Sequence, residues 1–133
     1  VCDASFISLA KVLEVPLRLA ATPCQLVALI KPQFEVGREE VGKGGVVRDP
    51  VAHCDAIAGV MAAAGALGLE ACGLVASPIT GPAGNHEYLL WLRRSDGDGS
   101  SEWVMLQWMF LSLLNSLLNQ PKPTRNSALS QSA

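Results

Sequence analysis

The sequence has no run of basic residues, no clustered metal ligands and no long apolar stretch, and each absence removes a class of function. Ten Lys and Arg stand against twelve Asp and Glu, for a formal net charge of −2, so the electrostatic footprint of a self-sufficient nucleic-acid binder is missing. The four cysteines (Cys2, Cys24, Cys54 and Cys72) are scattered with no C-x-x-C pair, and His53 and His86 have no partner at ligand spacing. No metal site is therefore expected. Scattered cysteines fit free thiols in a reducing compartment, and the expected location is the cytoplasm. The longest apolar stretch, residues 103–118, falls short of the roughly 20 residues that cross a bilayer core. A packed or interfacial helix is the expectation there, and a membrane anchor the lesser alternative. The chain opens on Val1-Cys2-Asp3 with neither an initiator Met nor a signal peptide, a beginning expected of an interior piece of a longer protein.

What is present is an α/β pattern. Half of the 133 residues are hydrophobic and 17% are charged, enough for one modest domain with a core. Leu26-Val27-Ala28-Leu29-Ile30 is a short continuous apolar run, which predicts a strand over Gln25–Lys31 buried on both faces. Pro32 should end it, because proline has no N–H for the ladder and holds the preceding residue extended. Ahead of that strand, Val1–Ser5 reads as the end of another strand turning at Asp3. A helix over Phe6–Val15 follows, with Phe6, Leu9, Val12 and Leu13 as its apolar stripe, Ser5 as N-cap and Pro16 at its end. Strand, helix, strand is the order of a parallel βαβ pair.

Residues 33–50 form a long polar, glycine-bearing loop of the kind that carries function. An Ala-rich helix is predicted over Val51–Leu67, ended by Gly65 and Gly68, then strands over Leu69–Ser77 and His86–Leu92, the last closed by Arg93-Arg94. The composition divides the chain into a domain at 1–94, a Gly/Asp/Ser linker at 95–102, an apolar helix at 103–118 and a disordered Pro/Ser/Asn tail at 119–133.

Asp3 follows the first strand, Lys31 ends the second, and Glu87 opens the last. Ligands of open α/β sheets bind at the carboxyl ends of the strands. In a doubly wound sheet whose last strand runs antiparallel, the start of that strand lies on the same rim, so all three side chains can converge. Each has a plain reading too: a solvated strand end, a turn residue, an exposed strand position.

The stretches Asp3-Ala4-Ser5-Phe6-Ile7-Ser8-Leu9, Leu29-Ile30-Lys31-Pro32-Gln33-Phe34-Glu35, Val41-Gly42-Lys43-Gly44-Gly45-Val46-Val47-Arg48-Asp49, Ser77-Pro78-Ile79 and Gly84-Asn85-His86-Glu87-Tyr88 closely resemble the TlyA (haemolysin A) family of FtsJ-like ribosomal RNA 2′-O-methyltransferases. The resemblance covers residues 1–94 and implies the C-terminal half of a Rossmann-type, S-adenosyl-L-methionine-dependent methyltransferase domain. It implies a Lys-Asp-Lys-Glu catalytic set in which Asp3, Lys31 and Glu87 take the second, third and fourth places. The first lysine, the cofactor-binding residues (a Gly-rich loop and an acidic ribose ligand) and an S4-type RNA-binding domain would all lie upstream of Val1. Lys43 and Arg48 are then candidates for RNA phosphate contacts, and Gln33 and Glu35 for shaping the substrate pocket. Asn85 is expected to set a turn, and His53 and His86 to be ordinary polar residues.

The chemistry accounts for the residue types. A ribose hydroxyl is a poor nucleophile until its proton is taken, and lysine can take it only through its neutral form. Asp3 and Glu87 favour the charged lysine, so orienting it and receiving its charge are their expected roles. Without the first lysine the segment alone is expected to be a poor or inactive catalyst. Two alternatives stand beside this reading. One is a non-catalytic binding or structural remnant whose open sheet edge or tail supports self-association; the other is a haemolysin-like membrane association through residues 103–118.

Overall fold

The computed structural model describes residues 1–95. Within them lie three helices, α1 (Leu9–Val12), α2 (Glu14–Leu19) and α3 (Pro50–Ala66), and three strands, β1 (Cys24–Ile30), β2 (Glu70–Ala76) and β3 (Tyr88–Arg94). Apart from Ser95, the expected linker at 95–102, apolar helix at 103–118 and tail at 119–133 lie outside the described residues. No described helix is long and apolar enough to cross a membrane. All four cysteines are free thiols.

The sheet has the order β1-β3-β2, and β3 is antiparallel to both neighbours. β1 and β2 therefore point the same way, with the last strand reversed between them, as expected for that strand. Cys2 adds a parallel bridge to Ala28 on the outer side of β1, through Cys2 N–H to Val27 O at 2.8 Å and Leu29 N–H to Cys2 O at 2.9 Å. The first expected strand is present as this single contact.

α1, α2 and α3 all lie over one face of the sheet. Ala28 and Ile30 of β1, Leu90 and Leu92 of β3, and Ala71 and Leu74 of β2 form one apolar cluster with Leu9, Leu13, Leu17, Ile57, Val60 and Ala64. Each of the larger aliphatic side chains among them contributes about 1.5–3 kcal/mol by leaving water. The opposite face is open, with Val75 55%, Trp91 43% and Val27 36% exposed. Burial of β1 on both faces is thus not observed; its burial alternates, because the described residues supply helices to one side only.

Several boundaries differ from the sequence expectation for physical reasons. The first helix starts at Leu9, with Ser8 rather than Ser5 as N-cap, its hydroxyl accepting from Ala10 N–H at 3.3 Å. Phe6 cannot join the helix because it holds φ +64, a left-handed conformation foreign to an α-helix. Pro16 does not end the helical segment but divides it. Lacking an N–H for the carbonyl four residues back, it stops α1 at Val12 and sits in the first turn of α2, where no donor is needed. α3 carries Pro50 at its first position and the Asp49 carboxylate on Val51 N–H at 2.9 Å. Gly68, at φ +76, follows it in the conformation that only glycine adopts freely. β3 begins two residues later than expected and runs through Arg93 and Arg94, which pair with Gln25 and Cys24. The arginines are rungs of the ladder, held by Glu70 at 2.9 Å and by Leu17 O at 2.9 Å.

Candidate active site

The rim at the end of β1 is assembled by backbone pairing. The parallel bridge between Cys2 and Ala28 fixes how far the following residues travel beside β1, and it delivers Asp3 and Ser5 to Lys31. The Lys31 ammonium lies 2.7 Å from the Asp3 carboxylate and donates to Ser5 Oγ at 3.0 Å. The lysine side chain is 13% exposed and that of Asp3 59%, so the cation is mostly enclosed while its counter-ion faces solvent. Ser5, read from sequence as a helix cap, is instead a hydrogen-bond partner of Lys31. Its spacing two positions beyond Asp3, on the same side of an extended segment, was the available signal.

Glu87 reaches the same rim from the other side. Ile30 pairs with Tyr88, so the next rung outward holds Lys31 and Glu87. The Glu87 carbonyl accepts from Ser77 N–H at 2.8 Å, which ties it to the end of β2. Glu87 is buried, and a Cβ added to Gly81 would lie 2.8 Å from its Oε1. Only a residue without a side chain leaves that carboxylate its place. Lys31 ion-pairs with Asp3 alone among the described residues.

The segment after Lys31 is occupied differently by its two candidates. Both oxygens of Glu35 cap α1, accepting from Ser8 Oγ at 2.8 Å and Leu9 N–H at 2.9 Å. Its carboxylate is spent on fixing the chain that follows Asp3 and Ser5. Gln33 Oε1 is buried and has no hydrogen-bond partner among the described residues, an acceptor left open at the cost of its desolvation. Phe6 is 89% exposed despite its size, and its ring lies 5.0 Å from that of Phe34, tilted by 44°. This aromatic pair went unread in the sequence, where Phe6 was assigned to a helix face.

The glycine-rich loop that carries Lys43 and Arg48 is pinned to the turn that carries Glu87. Asn85, buried, accepts from Val47 N–H at 3.0 Å and donates to Gly45 O at 2.8 Å. It fixes the loop, well beyond the turn-setting role expected of it. His53 Nε2–H donates to Val47 O at 2.9 Å, which leaves Nδ1 to accept from the Tyr88 hydroxyl at 3.0 Å. Burial holds the His53 pKa below 6.5, against the opposing pull of the Val47 carbonyl, and burial pushes the Tyr88 hydroxyl up to about 12. Both groups are therefore neutral and serve as hydrogen-bonding struts. Lys43 is exposed on this loop, away from the enclosed Lys31.

A family model described as FtsJ-like methyltransferase matches residues 1–94. The chain is 50% identical over 93 residues to "16S/23S rRNA (cytidine-2'-O)-methyltransferase TlyA" of Mycobacterium tuberculosis, covering 70% of this chain and 35% of that protein. It is 49% identical over 90 residues to "Putative rRNA methyltransferase YqxC" of Bacillus subtilis, covering 68% and 32%. Among solved structures it superposes on "Putative hemolysin from Streptococcus thermophilus" with a TM-score of 0.72 at 34% identity, covering 87% of this chain and 42% of the other. The chain thus spans about a third of the length of the curated relatives it matches.

Proposed function

The chain belongs to the FtsJ-like methyltransferase family, and from that premise we propose that residues 1–94 form the hydroxyl-activating side of an S-adenosylmethionine-dependent ribosomal RNA 2′-O-methyltransferase. The observation that carries this reading is the enclosed Lys31 ammonium, held at 2.7 Å by Asp3 and at 3.0 Å by Ser5. A lysine ammonium has three donors. Two are taken, and the third direction remains for a ribose 2′-hydroxyl. Lys31 in its neutral form would take the hydroxyl proton of the ribose, while the methyl group would pass to that oxygen from the sulfur of bound S-adenosylmethionine, whose carbon–sulfur bond breaks to leave the neutral thioether. Asp3 and Ser5 would then stabilise the ammonium that results, and Glu87, opposite Lys31 in the strand register, adds negative potential to the same rim.

S-adenosylmethionine, when bound, supplies the electrophilic methyl group. The Asp3 carboxylate is largely exposed to solvent, and a carboxylate on this rim would suit the positive charge at the reacting end of that cofactor. Phe6 offers an exposed ring on which the target base, a cytidine in the Mycobacterium tuberculosis relative, can stack. Gln33 offers an acceptor to the substrate, Glu35 shapes the pocket through α1, and Lys43 and Arg48 contact the RNA backbone. The like-oriented β1 and β2, the reversed β3 and the parallel Cys2 contact support the C-terminal half of a Rossmann-type sheet.

The test is a chimera in which this segment replaces the matching part of the Mycobacterium tuberculosis relative. The chimera is expected to methylate ribosomal RNA, and Lys31→Ala within it to lose methyl transfer while still binding cofactor in a calorimetric titration. Retained methylation by that variant would overturn the role of Lys31. One observation favours a second reading, a binding or structural role: the open apolar sheet face with Val27, Val75 and Trp91 is a surface built to be covered. Absence of cofactor binding by the chimera itself would favour that reading.

A further inference from the structure

Between the glycine-rich loop and the turn before β3 lies a cavity of about 430 Å³, open to solvent on one side and lined by Val46, Arg48, His53, Gly84 and His86 among others. Its side-chain polar groups are the Arg48 guanidinium and the imidazoles of His53 and His86, and no carboxylate lines it. Two acids adjoin the lining in sequence: Asp49 is engaged with Val51 N–H at the start of α3, and the buried Glu87 carboxylate lies beside Gly81. Arg48 makes no ion pair or hydrogen bond among the described residues, and neither ring nitrogen of His86 has a partner there. The Arg48 guanidinium is laid against Gly42, where an added Cβ would lie 3.2 Å from Nη1 and 3.0 Å from Val46 O. Beneath it, His53 has both nitrogens committed to Val47 and Tyr88, so it forms a fixed wall at a ring-centroid distance of 6.3 Å from His86.

We propose that this cavity binds one backbone phosphodiester of the RNA substrate, with Arg48 and His86 as its ligands; the RNA source of the phosphate rests on the function proposed above. A guanidinium without an internal counter-ion gains charge-assisted hydrogen bonds to a phosphate without first breaking a salt bridge. The wall is rigid, because Asn85, His53 and Tyr88 tie the loop to β3. It abuts the catalytic rim, since His86 directly precedes Glu87. A phosphate held here fixes the strand register of the ribose that reaches Lys31.

The experiment is a titration of the full chain with dimethyl phosphate, a phosphodiester probe, followed by amide and side-chain chemical shifts in nuclear magnetic resonance. Saturable shifts are expected at Arg48, His86 and Gly84, with Arg48→Gln weakening the affinity about tenfold, the size of one charge-assisted hydrogen bond. Lys11→Gln, on α1, is the control and should leave the affinity unchanged. Both substituted positions are exposed, so the variants are expected to fold, and their dispersed spectra verify it. Inorganic phosphate is titrated in parallel. Saturation by inorganic phosphate but not by dimethyl phosphate would overturn the phosphodiester assignment, and unsaturable shifts scattered over surface lysines would overturn the site. Because binding is read without methyl transfer, failure of the catalytic reading in the chimera is a separate result.

Discussion

Lys31 is paired with Asp3 at 2.7 Å because Ala28 is bridged in parallel to Cys2. The contact is a consequence of strand register: sliding the Cys2 segment by one residue would turn Asp3 to the other side and leave the lysine without it.

Asp3→Asn is accordingly expected to separate function from stability. The Asp3 side chain is 59% exposed, and such pairs contribute only about 0–1 kcal/mol to folding. A shift of the urea midpoint within that range is expected, with a fall of roughly 100-fold or more in methyl transfer by the chimera. Equal losses in both would contradict a chemical role for the carboxylate.

Gly81→Ala is expected to displace the Glu87 carboxylate, since the new methyl would lie 2.8 Å from Oε1. Activity of the chimera should fall at least tenfold. Glu87→Gln should fall similarly, and combining the two should add little, because both act on one group. Full activity in Gly81→Ala would show that the position of Glu87 is not critical.

Phe6 is 89% exposed, so Phe6→Leu should leave thermal stability within about 0.5 kcal/mol. Loss of one aromatic stacking surface is worth about 1–3 kcal/mol for a base, and the variant should raise KM for RNA about tenfold. An unchanged KM would remove Phe6 from the substrate site.

His53 gives the protein a calculable acid sensitivity. Unfolded, it takes up a proton near its ordinary value of 6.5, whereas folded it does so only at lower pH, because burial disfavours the cation. Between those two values the unfolded chain binds more protons, so acidification favours unfolding. The contribution is complete above about pH 6.5 and is lost as the pH falls toward the folded-state value. Urea midpoints measured from about pH 7 to about pH 5 should therefore fall in the parent chain and fall less in His53→Gln. Parallel curves for the two proteins would refute this assignment.

The sequence by itself determined the local chemistry of the chain. The apolar run Leu26–Ile30 ending at Lys31-Pro32 specified a strand that delivers a lysine to the rim, because proline offers no donor. The Ala-rich stretch after Pro50 specified a helix, and Gly68 marked its end. The motifs around Asp3, Lys31 and Glu87 were enough to point to the family, and the strand-end positions of Asp3 and Lys31 anticipated their pairing. Tertiary structure decided what each polar group does. Both oxygens of Glu35 are found on the start of α1, a partnership that nothing in its sequence position announces. Asn85 looks like a turn residue until both ends of its amide are found on the glycine-rich loop. Ser5 looked like a cap, and the left-handed Phe6 moved the cap to Ser8 and gave Ser5 to the lysine. These assignments depend on partners dozens of residues away, and a hydrogen bond leaves no periodic trace in sequence. A strand does, because its side chains must repeat on one face to be buried.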